Sequence, residues 1–107
     1  MTAIVSVSIE RGIMGALADN IREAVRNERY VFTVHANQML RKRRMVAWQV
    51  IAGLDAAKLA RERPDAAPNP VVEFDQVLAD GTPCKAIWAW ISRVRIAKLV
   101  TVHFYDR

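Results

Sequence analysis

A histidine and a run of four cations lie close together between Phe32 and Met45. His35 follows Thr33, which is predicted to cap a helix, and Arg41 to Arg44 come roughly two helical turns later. An imidazole beside guanidinium groups suits phosphate binding or phosphate chemistry. Cations also complement the dipole at a helix C-terminus, so an ordinary solvated helix end is the alternative interpretation.

Polar residues also share one face of the last predicted strand. They are Arg95, Thr101, His103 and Tyr105. Cleavage of RNA by attack of a 2′-hydroxyl on the adjacent phosphate needs a base, cations for the developing charge and an acid for the leaving oxygen. The helix segment and the strand together contain all three kinds of group. A shared site requires that the helix segment and the last strand lie close together in the fold.

We therefore predict two groups of functional residues. The catalytic candidates are His35, Arg43, Tyr105 and His103. The candidates for contact with nucleic acid are Arg41, Lys42, Arg44 and Arg95. Each histidine also has a structural interpretation, because an imidazole at a helix start can bond a backbone carbonyl and one between apolar strand residues can be half-buried.

The charge balance favours an acidic partner. The 107 residues include 16 Lys and Arg against 11 Asp and Glu, a formal net charge of +5. RNA is the partner that this charge and the candidate chemistry predict. Paired carboxylates, glycine-rich phosphate loops and metal-ligand spacings are absent from the sequence, so we predict neither a metal nor another cofactor.

Cysteine usage and hydropathy favour a cytoplasmic location. Cys84 is the only cysteine, which excludes an intrachain disulfide and suits a reducing compartment, and we expect it to pack inertly. The first ten residues lack the basic region of a signal peptide. No apolar run approaches the ~20 residues that span a bilayer, so no membrane association is expected.

Apolar periodicity predicts a single α+β domain over residues 1–107. Residues 1–12 are expected to form an extension or an edge strand, 13–54 to be helical, and 71–106 to form an antiparallel sheet of three to four strands. The first helix has an apolar stripe of Ile13, Leu17, Ile21 and Val25. A β-favouring segment, Tyr30–Thr33, leads into the His35 helix. A second short helix follows, with its inner face at Ala47, Val50, Ile51 and Leu54.

Turn signals divide the final third into strands. Residues 61–70 contain three of the four prolines and are predicted to be a loop, whereas Asp80-Gly81 predicts a hairpin turn. The run from Ala86 to Ile91, between the Asp80-Gly81 turn and the last strand, is apolar on both faces, which is typical of a central strand. Trp88 and Trp90 within it are assigned to the core or to a partner contact. The apolar face of the last strand is predicted to hold Ile96, Val100, Val102 and Phe104.

The pattern resembles a family of small bacterial proteins, the domain-of-unknown-function family numbered 4258. Its signature runs roughly T-x-H-A, six spacer residues and R-G-I, and it is matched here by Thr33, His35, Ala36 and Arg43. The likeness continues through Glu62-Arg63-Pro64-Asp65, Asp80-Gly81 and Thr101-Val102-x-x-Tyr105-Asp106. Arg44 departs from the family's glycine, which is expected to change the turn between the helices, and His103 departs from its tyrosine.

The resemblance implies a layout similar to RelE-type and BrnT-type ribonuclease toxins, with His35 and Arg43 as the matched functional positions. It also implies a cognate antitoxin as protein partner. The predicted function is a toxin-like, metal-independent ribonuclease of a type II toxin–antitoxin pair. A non-catalytic basic module that binds nucleic acid or a protein is the alternative. A third interpretation is a structural subunit that forms a homodimer through Trp88, Trp90 and an edge strand.

Overall fold

A computed structural model describes residues 15–105 and shows helices followed by a five-stranded sheet. Residues 15–26 form helix α1. Strand β1 (Tyr30–Phe32), helix α2 (Val34–Lys42) and helix α3 (Ala47–Ala52) follow. The other strands are β2 (Lys58–Arg63), β3 (Val71–Val77), β4 (Pro83–Ile91) and β5 (Ile96–Phe104). The expected extension at 1–12 and the start of the first helix lie outside the described residues.

The α+β fold class is confirmed, but the sheet is larger than predicted and is mixed. The strand order is β1-β5-β4-β3-β2, with β1 parallel to β5 and the other pairs antiparallel. Strand β1 confirms the β-favouring segment predicted at Tyr30–Thr33, which lies inside the range 13–54 that was otherwise predicted to be helical. Strand β2 occupies part of the predicted loop; it is an edge strand whose residues KLARER are nearly all exposed, so no apolar alternation marks it.

All three helices pack on one face of the sheet. The guanidinium of Arg22 on α1 lies 4.9 Å from the ring centroid of Phe74, and Gln76 donates to the carbonyl of Val50 on α3. Arg43, at the end of α2, lies over Phe104 of β5. No helix within residues 15–105 is long and apolar enough to cross a membrane.

The core lies between these helices and the inner residues of β3, β4 and β5. Trp88 is completely buried, Trp90 and Cys84 are buried beside it, and none of the three is free to contact a partner. This confirms the core assignment of both tryptophans and of Cys84. It also shows that the homodimer interface predicted at Trp88 and Trp90 is wrong at those positions.

A β-bulge changes which residues of β5 face the core. Ile87 pairs with Thr101 whereas Trp88 pairs with Leu99, so Val100 is an extra residue in β5. The buried apolar residues are therefore Ala97, Leu99 and Val102. The predicted apolar face was correct beyond the bulge and wrong before it, because one inserted residue shifts the alternation by one position.

The termini of α2 hold the segment that contains His35 against β5. As predicted, Thr33 is the N-cap: its Oγ1 accepts from the Ala36 N–H at 2.9 Å and donates to the carbonyl of Val100 at 2.7 Å. At the other end, the N–H groups of Arg44 and Met45 donate to the carbonyls of Arg41 and Leu40. These two bonds form a Schellman motif, in which Arg44 adopts a φ of 57°. Arginine thus takes the left-handed position that glycine favours.

Replacing Thr33 with alanine is expected to lower the free energy of unfolding by about 1–2 kcal/mol, because both bonds of the hydroxyl are lost. Urea denaturation measures this change. Thr33→Ser is the matched control and should keep most of the stability, since it retains the hydroxyl. Equal loss in both variants would show that the methyl group, and not the cap, stabilises α2.

Candidate functional site

The face of the sheet opposite the helices carries a concentration of polar side chains. Side chains alternate along each strand, so the residues between the core positions of β2 to β5 point to this second face, which we call the open face. No helix within the described residues packs on it. Its polar members are Lys58, Arg61, Arg63, Glu73, Asp75, Lys85, Lys98, Thr101, His103 and Tyr105. Five cations against two carboxylates make the open face positive.

Four of these residues form a continuous row across the sheet. Lys58 pairs with Asp75, Asp75 with Lys85, and Lys85 with His103. We call Lys58, Asp75, Lys85 and His103 the cross-sheet row. Neighbouring strands lie about 4.8 Å apart, so the row spans roughly 14 Å and its adjacent side chains are within contact distance. Two cations, a carboxylate and an imidazole are thereby brought onto one line.

Ion pairs hold the centre of the open face in place. Glu73 pairs with Arg63 at 3.1 Å and with Lys85 at 3.3 Å, and its side chain is only 9% exposed. The buried carboxylate of Glu73 thus holds the ammonium group of Lys85, a member of the row, in position. Within residues 15–105, no ion pair joins Lys58, Arg61 or Lys98 to a carboxylate. Lys58 and Arg61 are exposed, and Lys98 is half-buried.

Tyr105 lies at one end of the row, and its hydroxyl donates to Oδ1 of Asp75. This hydrogen bond, with a smaller contribution from desolvation, raises the pKa of Tyr105 to about 12. The phenol therefore keeps its proton at neutral pH. It is suited to donate a hydrogen bond or a proton rather than to act as a base.

The raised pKa of Tyr105 predicts a loss of stability at high pH. A group whose pKa is higher in the folded state stabilises the fold below its unfolded pKa, and this contribution disappears as pH rises from about 10 to about 12. Titration of tyrosine absorbance should show that Asp75→Asn lowers the pKa of Tyr105. Tyr105→Phe should reduce the fall in unfolding free energy between these pH values. An unchanged tyrosine titration in Asp75→Asn would exclude the hydrogen bond as the cause.

The four predicted catalytic residues do not all lie together in the structure. The guanidinium of Arg43 lies 4.6 Å from the ring centroid of Phe104, the residue between His103 and Tyr105. Arg43 therefore adjoins the end of β5, but on the helix side of the sheet. His35 is exposed near the start of α2, about 12 Å along the helix axis from Arg43. His103 and Tyr105, in contrast, share the open face as predicted.

The predicted nucleic-acid contacts divide between two regions. Arg41, Lys42 and Arg44 are exposed around the end of α2. Arg95 is exposed in the turn before β5, roughly 25 Å along the strand from His103. Its guanidinium lies 5.5 Å from the ring centroid of Trp90 and 4.0 Å from Glu23. Arg95 therefore lies at the opposite end of the sheet from the cross-sheet row.

Sequence reasoning missed three members of the row, Lys58, Asp75 and Lys85. Lys58 lies on the edge strand that was not predicted. Asp75 and Lys85 lie on predicted strands that flank the Asp80-Gly81 turn, whose glycine adopts a φ of +89° as the hairpin requires. The loop has three residues, 79–81, because the Leu78 N–H donates to the carbonyl of Thr82, and this register pairs Asp75 with Lys85. Counting back from a two-residue turn at Asp80-Gly81 would instead have paired Asp75 with Ala86.

Within residues 15–105, no group of three or more His, Cys, Asp or Glu side chains is arranged to hold a metal ion.

Comparison of the chain with protein-family models, with curated proteins and with solved structures finds no match. The resemblance to the family numbered 4258 therefore stays a prediction.

Proposed function

We propose that this chain is a metal-independent ribonuclease that binds RNA on the open face and cleaves it by attack of a 2′-hydroxyl on the adjacent phosphate. The observation that supports this most directly is the cross-sheet row with Tyr105 at its end. It combines an imidazole, two ammonium groups and a protonated phenol on one face of the sheet. These are the base, the cations and the acid that the reaction needs.

In this mechanism His103 removes the proton of the 2′-hydroxyl, and the oxygen forms a bond to phosphorus. Lys85, held by Glu73, and Lys58 stabilise the charge that develops on the phosphate oxygens. The bond from phosphorus to the 5′-oxygen breaks, and this oxygen takes the proton of Tyr105. The products carry a 2′,3′-cyclic phosphate and a 5′-hydroxyl. Arg43 and His35 stay predicted functional residues, and substitution of each with alanine in the cleavage assay tests them.

The narrower proposal is that the ribonuclease is the toxin of a type II toxin–antitoxin pair. It is supported by the resemblance described above and by the positive open face, which an acidic antitoxin would complement. Such an antitoxin would inhibit cleavage by covering the cross-sheet row. Inhibition that is relieved in Lys58→Glu would place the antitoxin on this face.

Labelled RNA incubated with the purified protein and EDTA tests the activity. We expect fragments that end in a 2′,3′-cyclic phosphate, and a single 2′-deoxy nucleotide at the cleaved position should block the cut there. The same RNA translated in a cell-free extract tests whether ribosomes are required. Absence of cleavage in both assays would contradict the ribonuclease proposal.

A non-catalytic binding module is the second candidate function. It is favoured by the fact that Lys85 and the Tyr105 hydroxyl already have partners, Glu73 and Asp75, on the open face. This function predicts RNA binding that weakens steeply with salt and is not followed by cleavage.

A further inference from the structure

A cavity of ≈ 250 Å³ lies on the open face, away from the cross-sheet row. Its floor is formed by Val71, Ala89 and Lys98, which pair with one another across β3, β4 and β5. All three point to the open face, because the residues beside them in each strand belong to the core. Ala89 contributes only a methyl group between two longer side chains, so the floor is lowest at its centre. Lys98 lies roughly 16 Å along β5 from His103, which separates the cavity from the row.

Hydrogen bonds hold both walls of the cavity. One wall is the loop 67–69, and directly after it the carbonyl of Pro70 accepts from the Trp90 N–H at 2.9 Å. The other wall contains Thr33 and Val100, which are joined by the bond from the Thr33 hydroxyl to the Val100 carbonyl at 2.7 Å. The cavity is therefore preformed, and a ligand would not have to order its walls.

The cavity contains a cation without a counter-charge. Among the described residues that line it, Lys98 alone is charged. Lys98 is half-buried, its cross-strand neighbours are Val31 and Ala89, and no carboxylate within residues 15–105 forms an ion pair with it. An ammonium group that is partly removed from water without a counter-charge is unfavourable, and a bound anion would compensate it.

The rest of the lining is mostly apolar and includes one more polar group that is available. Asn69 is half-buried, and its side-chain amide makes no hydrogen bond within residues 15–105. The hydroxyl of Thr33 already makes two hydrogen bonds. The apolar members are Pro68, Val71, Ala89 and Val100. A small number of polar groups in an apolar cavity is the usual composition of a small-molecule site.

We propose that this cavity binds a small monocarboxylic acid with a compact apolar body. The carboxylate accepts from Lys98 and from the amide of Asn69, and the body of the acid packs on the apolar lining. One ammonium group matches the single charge of a carboxylate better than the double charge of a phosphate monoester. The volume equals about eight groups the size of a water molecule at ~30 Å³ each, which suits an acid with one ring or a short branched chain. This site goes beyond the proposed function and does not depend on it.

Titration of the intact, ¹⁵N-labelled protein with three small probes tests the site. Benzoate has both the charge and the apolar body, benzamide has nearly the same shape without the charge, and acetate has the charge without the ring. We expect benzoate to bind about tenfold more tightly than either of the other two. The largest amide shifts should fall at Ala89, Lys98 and Val100.

A charge variant and its control test the role of the ammonium group. Lys98→Met keeps an unbranched side chain and removes the charge, so it should lower the affinity for benzoate to that for benzamide. Arg93→Met removes the same charge at an exposed residue in the turn before β5, outside the lining, and should leave the preference for benzoate unchanged.

A second pair of variants locates the ligand in the cavity. Ala67→Trp places an indole at an exposed position of the lining and should abolish binding of benzoate and of benzamide. Ala60→Trp makes the same substitution at an exposed position on β2, outside the lining, and should not. Circular dichroism confirms that each variant is folded.

The outcomes are separate from the test of RNA cleavage. Equal affinity for benzoate and benzamide, absence of saturable shifts, or benzoate binding that persists unchanged in Lys98→Met or in Ala67→Trp overturns the carboxylate site. A preference for benzoate that is lost in Lys98→Met and kept in Arg93→Met supports it. Because the readout is binding of a small acid, a protein that cleaves no RNA overturns the ribonuclease and leaves this site standing.

Discussion

Replacing His103 with alanine is expected to slow RNA cleavage by about 10²- to 10⁴-fold, the contribution typical of a general base. The imidazole is exposed on β5, directly across from Lys85, so its loss removes a reacting group without opening a cavity. The unfolding transition should therefore stay within about 0.5 kcal/mol of the wild type. Single-turnover cleavage and urea denaturation measure the two effects.

His35→Ala is the matched control, because it makes the same substitution at the only other histidine, on α2. If cleavage occurs on the cross-sheet row, this variant should retain most of the activity. If His35→Ala loses activity and His103→Ala does not, the site lies on α2, as the resemblance implied. The pair of variants thus decides between the two locations in a single assay.

Local features of the fold were predictable because they depend on residues close together in the chain. The Thr33 cap, the α3 inner face and the Asp80-Gly81 hairpin each depend on a few neighbouring residues, and each is present. Strand β2 was missed for the opposite reason. Its contribution to the fold is backbone pairing with β3, and its exposed side chains carry no apolar pattern.

The candidate site was predictable only where one strand contained it. His103 and Tyr105 are two residues apart on β5, so alternation alone places them on one face. The cross-sheet row depends on strand order and register, which are set by contacts distant in sequence. The bulge at Val100 alters this arrangement, because one extra residue in β5 reverses which of the preceding residues face the core and which face the open face.

Removing three cations from the open face is expected to weaken RNA binding by about 100-fold at 0.1 M salt. Each ammonium or guanidinium that contacts a phosphate of single-stranded RNA adds about 0.7 to the salt slope, so the triple variant should lower the slope by about 2. Lys58, Arg61 and Lys98 are suitable because no ion pair within residues 15–105 is lost with them. Fluorescence anisotropy at several salt concentrations measures the slope.

The comparison variant replaces Arg41, Lys42 and Arg44 with alanine and removes the same net charge from the exposed end of α2. Because the two triple variants have equal net charge, a difference between their slopes reports where the phosphates lie rather than the overall field of the protein. A larger loss in the α2 variant would place the RNA on the helix, next to His35 and Arg43. A larger loss in the open-face variant would place it on the cross-sheet row, where both proposed functions require it.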